Sequence, residues 1–206
     1  MDINPTRSNL LIIKDKLVSY YSILSILKAR RAALIKELIS SVEPYLKTRE
    51  DIRRIFRKAL FCYKITLSAD GIGYHMPLIA INKREFPVRI ESNNIYGLTY
   101  KELKSYENIY LKYEERKYNP HINSEALEEA LSLTEQVIDE IIKLTNYENK
   151  LKVITEEVLK LNRKIKILED KLIPATKHKI KNISNYLNER ERESYFRLKL
   201  YKGKKI

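Results

Sequence analysis

The residue types that carry out chemistry are present in this sequence, but they do not stand at the spacings that catalysis requires. The sequence contains no GxxxxGK[ST] loop for phosphate, no HExxH pair for zinc and no GxSxG turn for a nucleophilic serine. Gly71-Ile72-Gly73 lacks the third glycine of a dinucleotide-binding turn and precedes no predicted helix. The carboxylate pairs Glu128-Glu129 and Glu156-Glu157 fall on predicted helix surfaces, where a solvated face explains them.

The cysteine and histidine content also fails to predict a metal or redox centre. Cys62 is the only cysteine, which excludes an intrachain disulfide and a cysteine zinc cluster and is typical of a reducing compartment. Its apolar helical neighbourhood favours packing over nucleophilic catalysis. His75, His121 and His178 lie too far apart in sequence to match a metal motif. We therefore expect no catalytic, cofactor-binding or metal-binding residues, no cofactor, and no catalysis by the chain alone.

Composition favours long helices. The 206 residues include 4 Gly and 6 Pro, too few for the many turns of sandwiches, barrels and Rossmann folds. Charged residues make up 33% and apolar residues 44%, which argues against disorder. No apolar run reaches the roughly 18 residues of a membrane span, and the N-terminus lacks a signal-peptide pattern. We expect a soluble, cytoplasmic protein without direct membrane insertion.

The first predicted helix follows a start signal at Asn4 and Pro5. Its apolar residues alternate in spacings of three and four, the heptad pattern of a coiled coil, with Arg31 as the one polar residue. Pro44 is expected to kink this helix rather than end it. The first seam consists of Leu10, Ile13, Leu17, Tyr20, Leu24, Leu27, Leu34 and Leu38.

The second long helix is predicted to start at Asn123 or Ser124, with Glu125, Glu128 and Glu129 in its first turns. Its seam consists of Tyr147, Leu151, Ile154, Val158, Leu161, Ile165, Leu168, Leu172 and Ala175. Beyond Pro174 the seam slips by one residue and continues at Ile180, Ile183 and Leu187. A slip beside a proline indicates a bend or a change in helix winding.

Helices of this length, on the order of 100 Å each, bury their seams most simply against each other. The predicted fold is mainly α, a long antiparallel two-helix coiled coil with a small middle region containing a short β-hairpin. The expected parts are an N-terminal long helix at 1–69, the middle region at 70–122 and a C-terminal long helix at 123–206. Leu10 should lie near Ile183, Leu24 near residue 169 and Leu38 near residue 155, to within about one heptad.

The middle region shows alternating apolar residues typical of strands. Ile72, Tyr74 and Met76 alternate, as do Phe86, Val88 and Ile90, with a turn predicted at residues 82–85. This pattern predicts a β-hairpin near residues 72–91. The tyrosine-rich stretch at 96–118 is interpreted as a loop plus a short helix, and exposed tyrosines there suit a protein interface.

Charge is distributed unevenly along the chain, whose net charge is +13. Residues 1–69 carry a net charge of +8 and residues 160–206 carry +10, whereas residues 123–159 carry −6. An antiparallel hairpin therefore has one strongly positive end, which could bind nucleic acid or be a solvated coiled-coil face. No recognised nucleic-acid-binding fold is present. A basic coiled-coil adaptor or nucleic-acid-associated structural protein remains the alternative function.

Two stretches of the chain resemble the D subunit of V-type and archaeal-type ATP synthases. Near the N-terminus the similar residues are Asn4-Pro5-Thr6-Arg7 and 26–35, ILKARRAALI. Near the C-terminus they are residues 165–174, IKILEDKLIP, followed by 189–193, ERERE, and 196–199, FRLK. The two stretches stand in the order and at about the separation that the family shows.

The resemblance implies a non-catalytic central rotor shaft, coupling ATP synthesis or hydrolysis in a catalytic head to proton or sodium translocation in a membrane ring. It implies the catalytic A and B subunits, the F subunit and the membrane-ring socket subunit as partners, and no specific nucleic acid. The protein would be cytoplasmic and peripheral to the membrane. The residues expected to contact the catalytic head are Arg7, Lys28, Arg30, Arg31, Arg190, Arg192, Arg197 and Lys199.

Overall fold

The computed structural model describes residues 5–81, 85–106, 108–111 and 125–203, and for 78–81 it describes the backbone alone. The helices are α1 (Arg7–Asp70), α2 (Ile72–Ile81), α3 (Glu125–Ile167) and α4 (Ile173–Gly203), with a π-helical turn (Leu168–Leu172) between the last two. The strands β1 (Val88–Ile95) and β2 (Leu98–Ser105) form an antiparallel pair. The predicted class, two long paired helices plus a β-hairpin, is confirmed.

The chain divides into two compact units. Unit 1 comprises Met1–Ile35 and Glu157–Ile206, and unit 2 comprises Lys36–Glu156. Each unit therefore contains a part of α1 and a later helical segment that runs in the opposite direction.

Local signals set both ends of α1. The Thr6 hydroxyl accepts the Asn9 N–H at 3.3 Å, so Thr6 caps the helix. Pro5 consequently precedes the helix, which corrects the predicted start, and Asn4 lies outside the described residues.

At the C-terminal end of α1, Gly71 adopts φ +77°, and its N–H donates to the Leu67 carbonyl at 3.1 Å. This left-handed cap suits glycine because it has no Cβ to clash. Helix α1 passes through Pro44 without ending.

In unit 1, α1 packs against the end of α3, the π-helical turn and α4. Leu34 is fully buried, and Leu161 is 1% exposed. Arg31 donates from Nη1 to the Asn162 side-chain oxygen at 3.1 Å, so the one polar seam residue has a partner on the opposite helix. Lys28 contacts Glu169 at 2.6 Å. The antiparallel register agrees with the predicted one to within about one heptad.

In unit 2, α1 packs against α3. Lys150 contacts Glu37 at 2.7 Å, and the Tyr45 hydroxyl lies 3.2 Å from a Glu148 carboxylate oxygen. The core at the far end of this unit consists of small and medium side chains: Ala59, Cys62, Ala130 and Leu133, flanked by Ile55 and Tyr63. The start of α3 is described from Glu125 onward, and the predicted start residues Asn123 and Ser124 lie outside the described residues.

The predicted seam of the second long helix departs from the observed one at two residues. Leu172 is 40% exposed, and Ala175 is also exposed. The neighbouring Ile173 takes the buried position instead, at 7% exposure. The seam therefore jumps five residues, from Leu168 to Ile173, rather than slipping after Pro174.

The π-helical turn supplies this jump. The Ile173 N–H donates to the Leu168 carbonyl, a bond that spans one residue more than an α-helical bond. One extra residue rotates α4 enough to return Ile173 and Ile183 to the face that carries Leu168. Pro174, which has no N–H to donate, follows directly, so the change in winding predicted beside this proline is confirmed.

The β-hairpin lies further along the chain than predicted. Ile72–Ile81 form a helix rather than a strand, and the strands are Val88–Ile95 and Leu98–Ser105. Tyr96 and Gly97 make the turn, both with positive φ (49° and 78°), and the Asn94 side chain accepts the Gly97 N–H at 2.9 Å. Positive φ angles at both central residues are typical of a type I′ turn, a two-residue hairpin turn whose backbone twist matches the twist of the flanking strands. The predicted hairpin at 72–91 and the predicted loop over 98–105 are therefore wrong.

A helical segment with alternating apolar residues misled the sequence interpretation. Ile72 and Met76 are four residues apart and both are exposed, whereas His75 between them is buried, at 2% exposure. Most of the predicted turn at 82–85, together with Tyr113 and Tyr118 of the predicted loop plus short helix, lies outside the described residues.

We predict that the extra residue of the π-helical turn can be removed without loss of stability once Pro174 is replaced. Deleting Lys171 in a Pro174→Ala background should leave the melting temperature close to that of the Pro174→Ala parent. The reason is that an α-helical turn would then connect the same seam residues. Thermal unfolding followed by circular dichroism at 222 nm measures the melting temperature.

Deletion of Lys160 in the same background is the matched control. Both lysines are exposed, but losing Lys160 shifts the buried Leu161, Ile165 and Leu168 out of the interface and should cost about 3 kcal/mol or more. Equal destabilisation by the two deletions would contradict the assignment of the π-helical turn as a register correction.

Candidate interaction surfaces

The basic residues predicted at the positive end contact the opposite helix of unit 1. Arg7 pairs with Glu191, Lys28 with Glu169 at 2.6 Å, and Arg30 with Glu157 at 3.6 Å. These pairs are partly exposed, where an ion pair contributes about 0–1 kcal/mol. Their geometry suits helix alignment, and each cation remains accessible enough to exchange its partner.

The basic residues of α4 make local contacts instead. The Arg190 guanidinium lies 5.8 Å from the centroid of the Tyr186 ring. Arg192 lies 4.0 Å from Glu189, and Arg197 lies 3.3 Å from Glu193, each pair within about one helical turn. Lys199 is exposed. The structure thus places the eight predicted head-contact cations in one unit, four on α1 and four on α4.

The end of α4 is exposed on every side. From Arg192 to Gly203 each residue is exposed, beyond the contact between the two helices at Arg7 and Glu191. We call these residues the C-terminal segment. Its large apolar side chains, more than half exposed, are Tyr195, Phe196, Leu198, Leu200 and Tyr201. A helix with apolar residues all round normally requires an enclosing partner.

Unit 2 exposes a second apolar surface on α1. Phe56 is 50% exposed and Phe61 is 64% exposed. Ala59, which lies between them in sequence, and Cys62, which follows Phe61, are buried on the opposite side of the helix. Leu60 and Ile65 extend the same exposed surface, and we call these four exposed residues the Phe56–Phe61 surface. Helix α1 is therefore apolar on its core side and on its outer side, which is typical of a helix that contacts a further protein.

A buried polar cluster joins α2 to α1. The His75 ring nitrogen Nε2 lies 3.4 Å from the Thr66 carbonyl oxygen and 3.9 Å from an Asp70 carboxylate oxygen. The rings of Tyr63 and Tyr74 meet the imidazole edge-on at 5.9 and 5.7 Å. Thr66 and His75 are both buried, and the Thr66 hydroxyl donates to the Cys62 carbonyl at 2.9 Å, so the contacts of His75 Nε2 with α1 help to position α2.

Two asparagines of α3 hold the β-hairpin. The Leu103 N–H donates to the Asn146 side-chain oxygen at 2.7 Å, and the Asn146 amide donates to the Leu103 carbonyl at 2.9 Å. The Asn149 amide donates to the Lys101 carbonyl at 3.4 Å. Sequence reasoning missed both asparagines. The available signal was the Asn146–Asn149 spacing of three residues, which puts both amides on one helix face.

The inner face of the hairpin is polar. Glu102 accepts hydrogen bonds from the Asn93 amide and from the Tyr100 hydroxyl. Its neighbour across the strands, Glu91, contacts Lys104 at 2.6 Å, and this ammonium lowers the pKa of Glu91. Burial and the nearby Glu102 carboxylate raise the pKa of Tyr100. Each of the two facing carboxylates, Glu91 and Glu102, therefore has partners of its own.

The single cysteine lies in an environment that disfavours the thiolate. Cys62 is 6% exposed, and its thiol donates toward a Glu129 carboxylate oxygen 3.6 Å away. Burial raises the pKa of the Cys62 thiol, and the negative charge of Glu129 raises it further. Lys58, 2.7 Å from Glu129, lowers the pKa of that carboxylate. Such a thiol is a poor nucleophile.

Neither a metal site nor a membrane span is found in the described parts of the chain. Among the described residues, His, Cys, Asp and Glu form no group of three that could hold a metal ion. None of the described helices combines the length and the apolar character needed to cross a bilayer.

Comparison with known proteins decides the family. The model of the family described as the D subunit of ATP synthase matches residues 9–203. The chain belongs to the ATP synthase D-subunit family. It is 28% identical to the A-type ATP synthase D subunit of Haloarcula marismortui, over 98% of this chain and 88% of that protein. It is also 28% identical to the A-type ATP synthase D subunit of Pyrococcus furiosus, over 98% of this chain and 94% of that protein.

Membership of the D-subunit family makes this chain a structural component of an ATP synthase, and it gives the exposed surfaces a context. The C-terminal segment and the Phe56–Phe61 surface carry apolar side chains that a free protein would normally bury. In a larger assembly, neighbouring subunits can cover them.

We predict slow alkylation of Cys62. Iodoacetamide at about pH 8 should react at least about tenfold more slowly with the folded chain than with the chain unfolded in guanidinium, because the thiol is buried and its pKa is raised. Glu129→Gln should accelerate the folded-state reaction, since it removes a negative charge beside the sulfur. Mass spectrometry of quenched samples gives the rates. Glu125→Gln, an exposed carboxylate of the same helix, is the control, and an equal effect of both substitutions would refute the role of Glu129.

Proposed function

We propose that this chain is the central rotor shaft of an archaeal-type or V-type rotary ATP synthase and performs no catalysis itself. In this proposal it couples ATP synthesis or hydrolysis in a head of A and B subunits to proton or sodium translocation in a membrane ring. The F subunit and the membrane-ring socket subunit bind it away from the head. The protein is cytoplasmic and peripheral to the membrane as part of the complex.

The exposed C-terminal segment is the observation that carries the proposal. Five large apolar or aromatic side chains project from a helix that is exposed on all sides, and Tyr201 among them is 75% exposed. A one-sided partner would leave part of this surface in water. A sleeve formed by several surrounding subunits covers all of it, as a rotor that turns inside a catalytic head requires.

The paired helices of unit 1 support transmission of torque. A buried seam resists sliding because each displaced apolar side chain would meet polar residues of the opposite helix. The ion pairs of Arg7, Lys28 and Arg30 flank this seam. In a shaft, these contacts make the two helices turn together.

The Phe56–Phe61 surface of unit 2 supports binding of a second partner. Its exposed rings, together with Leu60 and Ile65, form an apolar patch on a helix that is already packed on its other side. We assign this patch to the F subunit or the socket subunit.

We predict that the apolar side chains of the C-terminal segment determine head binding. Replacing Phe196, Leu198 and Tyr201 with alanine should weaken binding to a co-purified complex of A and B subunits by at least about a thousandfold. The reason is that each large side chain that becomes buried contributes about 1.5–3 kcal/mol, so the three together contribute about 4.5 kcal/mol or more, and about 1.4 kcal/mol corresponds to a tenfold change in affinity. Biolayer interferometry at about 200 mM salt measures the affinity, and Tyr96→Ala in the hairpin turn is a control that removes one exposed ring outside this segment.

Rotation is the decisive measurement. In a Cys62→Ser background, a bead attached through a new cysteine at Tyr96 should turn in one direction when ATP is supplied to the reconstituted head. A bead that stays fixed while ATP is hydrolysed would contradict the shaft role.

Binding of DNA by this chain should be lost by about 200 mM salt, because contacts with phosphates alone weaken steeply as salt rises, whereas binding to the head should persist at that salt concentration.

A further inference from the structure

The two edges of the β-hairpin differ in how their backbone groups are satisfied. On the outer side of β2, the N–H and C=O of Leu103 both bond the Asn146 side chain, and the Lys101 carbonyl accepts from Asn149. The edge of β2 is therefore covered by α3. The other edge of the hairpin belongs to β1.

The strand register shows which β1 groups face outward. Ile90 lies opposite Leu103, and Ser92 lies opposite Lys101. In an antiparallel pair, opposite residues direct their backbone groups either both toward the partner strand or both away from it. Since the backbone of Leu103 is turned away from β1, the backbone of Ile90 is turned away from β2. The same alternation applies to Val88, Ser92 and Asn94.

These outward groups have no partner within the described part of the chain. No hydrogen bond from a described residue reaches the N–H or C=O of Val88, Ile90, Ser92 or Asn94. Val88 and Ile90 expose their side chains as well, at 42% and 60%. The edge thus presents free donors and acceptors along an eight-residue strand, flanked at one end by apolar side chains.

Two features that often protect an edge strand, a proline and a β-bulge, are missing from β1. The strand contains no proline, and its one-to-one register with β2 leaves no bulge. Its charged residues, Arg89 and Glu91, alternate with the outward-facing ones and contact Tyr106 and Lys104 on the β2 side of the hairpin. An unprotected edge of this kind is a template for another strand.

We propose that the outer edge of β1 binds an extended segment of another ATP synthase subunit, which adds a third strand to the hairpin. Main-chain hydrogen bonds to Ile90 and Ser92 supply the pairing, and apolar side chains at alternate positions of the segment contact Val88 and Ile90. The proposal rests on membership in the multi-subunit complex and is independent of the shaft role.

Charge and area favour a different subunit over a second copy of this chain. Each copy carries a net charge of +13, so two copies repel each other. A single eight-residue edge also falls short of the roughly 1,200 Å² that a specific, stable interface buries. Another subunit of the complex, held nearby by its remaining contacts, needs no such area, because its effective concentration is already high.

Hydrogen exchange with single-residue resolution tests the proposal on the free chain and on the purified complex. The amides of Ile90, Ser92 and Asn94 should exchange rapidly in the free chain and at least about tenfold more slowly in the complex. The amides of Arg89, Glu91 and Asn93, which face β2, should be protected in both. Protection of the outward amides in the free chain would show that the chain covers its own edge and would overturn the proposal, as would rapid exchange in the complex.

Proline scanning supplies the variants. Ser92→Pro removes an outward N–H and blocks the edge while sparing the bonds to β2, whereas Ser92→Ala retains the N–H and is the matched control. We expect Ser92→Pro to abolish the added protection of Ile90 and Asn94 in the complex and Ser92→Ala to preserve it. Protection of Glu91 and Asn93 in the free Ser92→Pro chain verifies that the hairpin still forms.

Two further outcomes distinguish the sources of failure. If the free chain sediments as a dimer that Ser92→Pro dissociates, the occupant is a second copy and the proposal is wrong. If Ser92→Pro leaves the protection pattern of the complex unchanged, no strand is added at this edge. Neither result affects head binding by the C-terminal segment, which the Phe196, Leu198 and Tyr201 substitutions measure separately.

Discussion

Burial of one apolar seam between oppositely directed helices is the constraint on which the rest of the structure depends. Leu34 and Leu161, both almost inaccessible, show how closely the helices of unit 1 approach. Because a heptad seam tolerates no uncorrected shift, the five-residue step from Leu168 to Ile173 forces a π-helical turn before Pro174. The local helix geometry is thus a consequence of the pairing rather than of the proline alone.

The ion pairs between the helices affect the register of the pairing more than the free energy of folding. The pairs formed by Lys28 and Lys150 with acidic residues across the helices are exposed or half-exposed, so each contributes little free energy of folding. They nevertheless favour one register over its neighbours, since a shift would separate opposite charges. The C-terminal segment lies beyond the pair of Arg7 and Glu191, and its apolar side chains remain available to surrounding subunits.

The middle of the chain buries some polar residues while it leaves some apolar residues exposed. His75 is buried while Ile72 and Met76 are exposed, and the polar Glu102 network faces inward while Ile90 faces water. Hydrogen bonds between the Asn146 and Asn149 side chains and the backbone of Leu103 and Lys101 attach the hairpin to α3. Such a region is satisfied on its inner side and open to partners on its outer side, which suits a component of an assembly.

The sequence alone predicted the long helices, their antiparallel pairing to within about one heptad and the change in winding near Pro174, because heptad spacing repeats over many residues. It also predicted the family, from the two stretches that resemble the D subunit. It did not determine the position of the hairpin, since the alternation of Ile72, Tyr74 and Met76 fits a strand as well as a helix. Only the tertiary structure decided that Ile173 replaces Leu172 in the seam, and that Asn146 binds the edge of β2. The seam position of Ile173 and the Asn146 contact both depend on which residues meet across packed elements. A short local sequence pattern contains no information about such a contact, since Asn146 and its partner Leu103 are more than forty positions apart.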